Sequence, residues 1–566
     1  MDTEKNVNST HKVNLSRRGF VKTAATGIAL AAAGGSGVLL GACSDSAGIE
    51  GGGATATGTQ RILKLQIDGE PGSLDTNYAF DGTSNIIVNA TTASLFRIDE
   101  NNEAVPDLVD TYTISDDGLT YTFVLKETTW TSGTPLTAHD FVYSWKRLVD
   151  PEGGFGNAQQ LSAAGILNAA AIIAGEKPAS TLGVEALDDT TLQITLDRPV
   201  PYVERILRNT NVRPIEQGFF EAQGSNWGTS PETHNACGPY QLSAFQAATP
   251  TIELIKNPNY HAADKIPFDG LRFQVITDAQ QALFSYQNGD LDILELKGDQ
   301  VELYEDDPTY HSERRAQIFY IALNTQLPGL ASPKLRKALG LAIDKEYLTT
   351  NILKNGSVPA YYFVPYDFAF DSKDEDFRTG APLYQQVDKG EALRLWNEVQ
   401  AETGVDAFTF SVVLGEDTIS QTVGQYIQAQ IQDTLPGVTL ELSPAPDKVW
   451  YEVLEQREWG LDNDWWWGEY PDAVANLMLF TGTSDYNFSG YDNEEFNAII
   501  HDVDTLPLAA NEAERLKALH RAEEIILDED TALLPLYQAA QGYLSNPELN
   551  VPYTSGAYVL EDISIR

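Results

Sequence analysis

The chain has 566 residues, with 81 acidic side chains against 37 basic ones and a formal charge of −44. This length excludes a single compact core and points to two or three domains. The charge argues against nucleic acid and anionic membrane surfaces as partners, which leaves either a cationic ligand or a solvated acidic coat. A hydrophobic fraction of 42% is that of a folded protein. Two Cys and seven His imply neither a disulfide framework nor a zinc-type site.

The N-terminus reads as an address. Ser16 to Lys22 is SRRGFVK, a twin Arg ahead of an apolar stretch that runs to about Ala42. That stretch carries several Gly and is too weakly apolar for a comfortable permanent span, although an uncleaved anchor helix stays open. It ends in Leu40-Gly41-Ala42-Cys43, which resembles a bacterial lipobox, so Cys43 is the expected lipidation site and 1–43 a twin-arginine lipoprotein signal peptide. Residues 44–59 then form a Gly/Ala/Ser/Thr tether with a mean reach of roughly 20–25 Å.

Arg61 to Ile67 alternates as a strand, and Gly69 to Asp75 is a turn-rich loop. Asn85 to Phe96 is expected to be helical. Tyr112 to Ile114 and Thr120 to Lys126 flank Ser115-Asp116-Asp117-Gly118 as a hairpin. Thr137, three residues before Asp140, is a good N-cap for a helix with Phe141 and Trp145 on one face. Leu187 to Leu196 repeats the turn-then-strand pattern. Cys237, in Ala-Cys-Gly-Pro-Tyr, reads as a small buried hydrophobe rather than a nucleophile. Trp459 to Asp472, WGLDNDWWWGEYPD, holds four Trp and one Tyr interleaved with carboxylates. As a strand it sends Trp465 and Trp467 one way and Asp464 and Trp466 the other, and Gly468 lets another backbone approach. Alone, this stretch fits a core strand as well as a binding surface.

Asp117 to Pro151 (DGLTYTFVLKETTWTSGTPLTAHDFVYSWKRLVDP) resembles the signature of the bacterial extracellular solute-binding proteins of family 5. The resemblance continues through Ile172 to Tyr202, Cys237 to Leu242, Ile252 to Tyr260, Asn288 to Ile293, Leu323 to Leu348 and Asn487 to Ile500, and is strongest to the oligopeptide-binding branch. It implies an α/β fold of the two-lobed type II periplasmic-binding-protein kind, with a hinge and an additional inserted domain. By likeness, lobe I is 60–95, 232–322 and 531–566, the inserted domain is 96–231 and lobe II is 323–530. The implied function is the substrate-binding lipoprotein of an ABC importer. Its partners are a peptide, the permease and, through Cys43, the membrane, with no nucleic acid, no cofactor and a monomeric state.

The resemblance also implies a site. The ligand is held as an added strand, on the backbone of Asn463 to Gly468, and Glu469 stands where relatives carry an Asp that binds the peptide ammonium. Glu70 and Gly72 match the opposing loop, and Trp466 matches an aromatic that packs along the ligand. Trp465 and Trp467 shape pockets, and Trp467 replaces a smaller residue. Gln160 replaces a Tyr, while Ser420 and Asn463 fall where relatives carry a His and an Arg near the ligand's C-terminal end. That end therefore lacks positive charge, with Arg457 the nearby substitute. Other solutes, such as a nickel complex, haem or a sugar stacked on Trp465 to Trp467, suit the same fold. A hydrolase built on Asp464 and Glu469 is a more distant reading, since no GxSxG, zinc or phosphate-loop motif occurs.

Overall fold

The computed structural model describes residues 61–566 except 80, 101–102, 201, 246–249, 299, 372, 374, 469, 485, 504, 506 and 555–556. The expected signal peptide with Cys43, the expected tether and Glu469 therefore lie outside the described residues.

Among the described residues, fifteen strands build the three larger sheets. They are β1 (Ile62–Ile67), β2 (Val109–Ile114), β3 (Thr120–Leu125), β4 (Val184–Ala186), β5 (Thr191–Thr195), β6 (Tyr240–Ala244), β7 (Thr251–Lys256), β8 (Gly270–Val275), β9 (Ile293–Glu295), β10 (Tyr310–Leu323), β11 (Val358–Pro359), β12 (Phe408–Gly415), β13 (Val438–Ala445), β14 (Leu461–Trp467) and β15 (Leu533–Ser545). The first sheet has the order β1-β8-β7-β6, with β1 and β8 parallel. The second, β2-β3-β5-β4, is antiparallel and lies within 96–231. The third runs β9-β15-β10-β14-β12-β13, with β11 beside β15.

Each sheet face is covered for local reasons. The hairpin β2–β3 forms with Gly118 at φ 70°, as its turn requires. Helix Ala138–Leu148 starts at Thr137, whose backbone N–H donates to Asp140 at 2.8 Å. Phe141 and Trp145 on that helix are fully buried. The helix expected over Asn85 to Phe96 instead spans Gly82–Thr91. Asp81 accepts from the Ser84 amide at 2.8 Å and starts it early. Phe96 belongs to a short strand, Phe96–Ile98, because Leu95 and Ser94 offer their carbonyls to the Asp107 and Leu108 amides. Cys237 is buried with its thiol pKa pushed up by desolvation, as a small hydrophobe should be.

The third sheet encloses its own core, with Leu323, Leu335, Ile427, Leu461 and Leu534 among the buried residues. Its long strands β10 and β15 run from β9 at one end to β14 and β11 at the other, and position 322/323 falls at the last step of β10. Their pairing lapses between Arg314 and Ile318. There Gln538 bridges, donating to the carbonyls of Arg315 and Tyr366 at 2.9 Å each. Among the described residues no helix is long and apolar enough to cross a membrane.

Candidate functional site

Strand β14 is paired unequally along its two edges. Against β10 it is antiparallel over its whole length, from Leu461 opposite Leu323 to Trp467 opposite Gln317. Against β12 it pairs only through Leu461 and Asp462. From Asn463 to Trp467 the second edge has no strand partner among the described residues. An open edge presents backbone donors and acceptors that another extended chain can use. The Trp465 amide on this segment is held by its neighbour, donating to Asp464 Oδ1 at 2.7 Å.

Alternation sorts the side chains as the sequence implies. Trp465 and Trp467 are 42% and 57% exposed, and their rings meet edge-on at 5.7 Å. Trp467 lines one cavity and Trp465 another. The first cavity, about 380 Å³, is bounded by Trp467, Gly468, Tyr470 and Phe368, by Arg315 to Gln317 of β10, and by Gln159, Gln160 and Arg208 to Asn211. The second, about 520 Å³, is bounded by Trp465, Asn463, Phe319, Tyr537 and Trp450, and by Gly415 to Asp417 with Ser420. Asp417 caps the helix Thr418–Thr434 there, accepting from the Ile419 and Ser420 amides at 3.0 and 2.9 Å.

Two residues that line these cavities carry a buried acceptor without a protein donor. Gln160 of the first has an unpartnered Oε1, while its Nε2 donates to Asn211 at 3.3 Å. Asn463 of the second has an unpartnered Oδ1. Buried polar atoms normally have partners, so orphaned acceptors beside an open strand edge invite a ligand's N–H groups.

The other face of β14 is structural. Asp462 is buried, and Asp464 accepts from the Tyr320 hydroxyl at 3.1 Å. Burial pushes the Asp464 carboxyl up to about 6, and burial next to Asp464 raises Asp462 well above the carboxylate range. Asp464 lines neither cavity.

Several expected contacts are placed elsewhere. Trp466 lines neither cavity, since it falls on the structural face, where its indole donates to the Ala475 carbonyl at 2.9 Å. Gly468 makes room for side chains, not another backbone: a Cβ there would meet the Phe368 ring and Asn476 Oδ1. Glu70 and Gly72 are exposed and line neither cavity, and the Gly72 amide donates to Asp81 at 3.2 Å. Arg457 adopts φ 56° beside Gly490, away from both cavities. Gln160, Trp467 and Gly468 are brought together in the first cavity, and Ser420, Asn463 and Trp465 in the second.

Beyond β14 the chain is clamped. Asp472 takes a two-pronged bond from Arg515 at 2.8 and 2.9 Å, and Tyr470 stacks on Tyr202 at 5.3 Å. Glu523, paired with Arg378 in full burial, accepts from the Phe363 and Val364 amides at 3.0 Å. Asn476 then donates to the Phe363 carbonyl at 3.0 Å, fixing the segment that carries Phe368. Sequence reasoning missed Arg208, Arg315, Phe368, Trp450 and Tyr537, which reach the site from distant parts of the chain without any local motif.

Residues 103–488 match the profile of the bacterial extracellular solute-binding proteins, family 5, middle region. The dipeptide-binding protein of Lactococcus lactis is 29% identical over 549 residues, covering 94% of this chain and 97% of that protein. The periplasmic oligopeptide-binding protein OppA of Salmonella typhimurium is 30% identical over 447 residues, covering 77% and 78%. The structure of Listeria monocytogenes OppA bound to peptide superposes with a TM-score of 0.71 at 28% identity, over 90% of this chain and 99% of that one. The α/β periplasmic-binding-protein-like fold implied by the sequence is the fold observed.

Proposed function

The chain belongs to the bacterial extracellular solute-binding proteins of family 5, and on that footing we propose that it captures peptides along β14 and delivers them to an ABC permease. The observation that carries this reading is the open edge of β14 from Asn463 to Trp467, set between two cavities. A peptide laid there as an added strand gains main-chain hydrogen bonds without its sequence being read, and its side chains enter the cavities. The unpartnered Gln160 Oε1 and Asn463 Oδ1 supply further acceptors. Relatives named for dipeptide and oligopeptide binding support the same class of ligand.

In this proposal the N-terminal signal and Cys43 tie the body by lipid to the outer face of the cytoplasmic membrane. The lobes follow the boundaries given above, with the hinge at the end of β10 and just before the start of β15. Ligand touching both lobes favours the closed form that the permease recognises. No bond is made or broken. Glu469 pairs with the peptide ammonium.

Native mass spectrometry of the purified protein tests the ligand class. A ladder of peptides is the expected result, and one non-peptide molecule refutes the reading. Glu469→Ala tests the ammonium contact. Affinity for free-amine peptides falls by about 2–5 kcal/mol while N-acetylated peptides are unaffected. An unchanged free-amine affinity refutes the role of Glu469.

A further inference from the structure

Resting on the peptide reading above, we infer that the first cavity holds a carboxylate of the bound peptide and that Arg208 is the residue that binds it.

Arg208 lines this cavity, and its Nε is buried without a hydrogen-bond partner. Among the described residues no carboxylate pairs with it. Desolvation, and after it the guanidiniums of Arg205 and Arg213, bring its pKa down to about 10. A half-buried cation flanked by cations and left without an anion is unfavourable unless something else supplies the anion. The neighbouring cation Arg315 is already engaged, with Gln541 at 2.6 Å and Glu295 at 3.6 Å.

The surroundings keep the site open to an anion. The described lining of the cavity includes the amides of Asn85, Gln160 and Asn211 and contains no Asp or Glu. In a chain with 81 acidic and 37 basic side chains, a cavity holding two Arg and no described carboxylate runs against the composition. The described lining of the second cavity has the opposite character: it includes Glu416 and Asp417 and neither Lys nor Arg. A carboxylate is repelled from the second cavity and drawn to the first, so the two give a bound peptide a preferred orientation. A guanidinium meets a carboxylate in a planar, two-pronged geometry that a neutral amide cannot reproduce. The carboxylate has two possible sources: an Asp or Glu side chain, or the C-terminus of a peptide laid in the orientation opposite to the one that pairs its ammonium with Glu469.

The test is a set of alanine pentapeptides with one Glu or one Gln at each position in turn, each made as the free acid and as the C-terminal amide. Binding is read by quenching of the fluorescence of Trp465 and Trp467. The wild-type protein is expected to favour Glu over Gln at one position, or acid over amide, by about 10- to 100-fold. Arg208→Gln reduces that preference to within about threefold while still binding the neutral peptides, and Arg208→Lys restores part of it. Loss of a Glu preference identifies the side chain as the source, and loss of an acid preference identifies the terminus. Arg208→Gln removes a half-buried charge that lacks a partner, so its melting temperature should not fall, which separates a binding defect from misfolding. Peptides that bind without regard to carboxylate, or a preference that survives in Arg208→Gln, overturn the inference alone. Failure of every peptide to bind overturns the peptide reading and this inference with it.

Discussion

Gly468→Ala adds one methyl group at the point where β14 leaves the sheet. The new Cβ would lie 2.7 Å from Phe368 Cε1 and 2.9 Å from Asn476 Oδ1, with Phe368 Cζ nearer still. Carbon atoms in comfortable contact are about 3.5–4.0 Å apart, so the ring has to retreat by about 1 Å. Phe368 is 6% exposed, and Asn476 is fully buried and bonded to the Phe363 carbonyl, so neither can swing into solvent. Overpacking of this kind costs about 1–3 kcal/mol. Urea unfolding followed by fluorescence measures that loss. Phe368 and Gly468 both border the first cavity, so peptide affinity should fall about tenfold as well, equivalent to about 1.4 kcal/mol. The decisive comparison is a cycle with Phe368→Ala, which alone costs about 3–5 kcal/mol through the cavity it leaves. If the ring is the obstacle, the double variant is more stable than the sum of the two by about 1–3 kcal/mol. Additivity within about 0.5 kcal/mol, or a Gly468→Ala protein with an unchanged midpoint, refutes the reasoning.

Two expected pH dependences come from buried charges. Lys345 is fully buried, donating to the Ala360 carbonyl at 3.1 Å, and desolvation lowers its pKa to about 7. The unfolded chain holds this proton up to the ordinary lysine range, so stability rises with pH between about 7 and 10, by roughly 3–5 kcal/mol in all. Lys345→Met should abolish that rise in urea midpoints taken at pH 7 and pH 9.5, and a slope that persists assigns the effect elsewhere. Asp462 behaves oppositely, since its raised carboxyl pKa gives stability that is full below the unfolded carboxylate range and is lost as pH climbs through the folded value. Asp462→Asn should therefore melt higher than wild type at pH 8 and no higher at pH 4, by about 1–3 kcal/mol, and equal melting temperatures at pH 8 argue against a strained acid pair.

Much of the site was legible where the governing physics is local. Strand alternation placed Trp465 and Trp467 on one face of β14, and the structure has their rings in contact. The Thr137–Asp140 spacing placed a helix start, and the β2–β3 turn placed a hairpin. Gln160, Ser420 and Asn463, chosen through likeness to a family, do border the cavities. Local rules were weakest at boundaries. The expected helix at Asn85 begins earlier because Asp81 supplies the cap, and it ends before Phe96 because the Ser94 and Leu95 carbonyls serve a strand-like connection.

The sequence by itself determined the family, the strand that carries the candidate site and the alternation of its side chains, because a period of two and an ordered set of motifs are properties of the chain alone. Tertiary structure decided what each of those side chains meets. It gave the Trp466 indole a carbonyl at Ala475, gave Gly468 the ring of Phe368, and turned Arg457 away toward Gly490. It ended the β12 pairing at Asp462, which leaves the edge from Asn463 onward open. It also brought Arg208, remote in sequence from β14, into the cavity beside Trp467. Charge near a ligand depends on which distant segments converge and on which cations keep a partner after folding, and neither quantity is written in any local stretch of the chain.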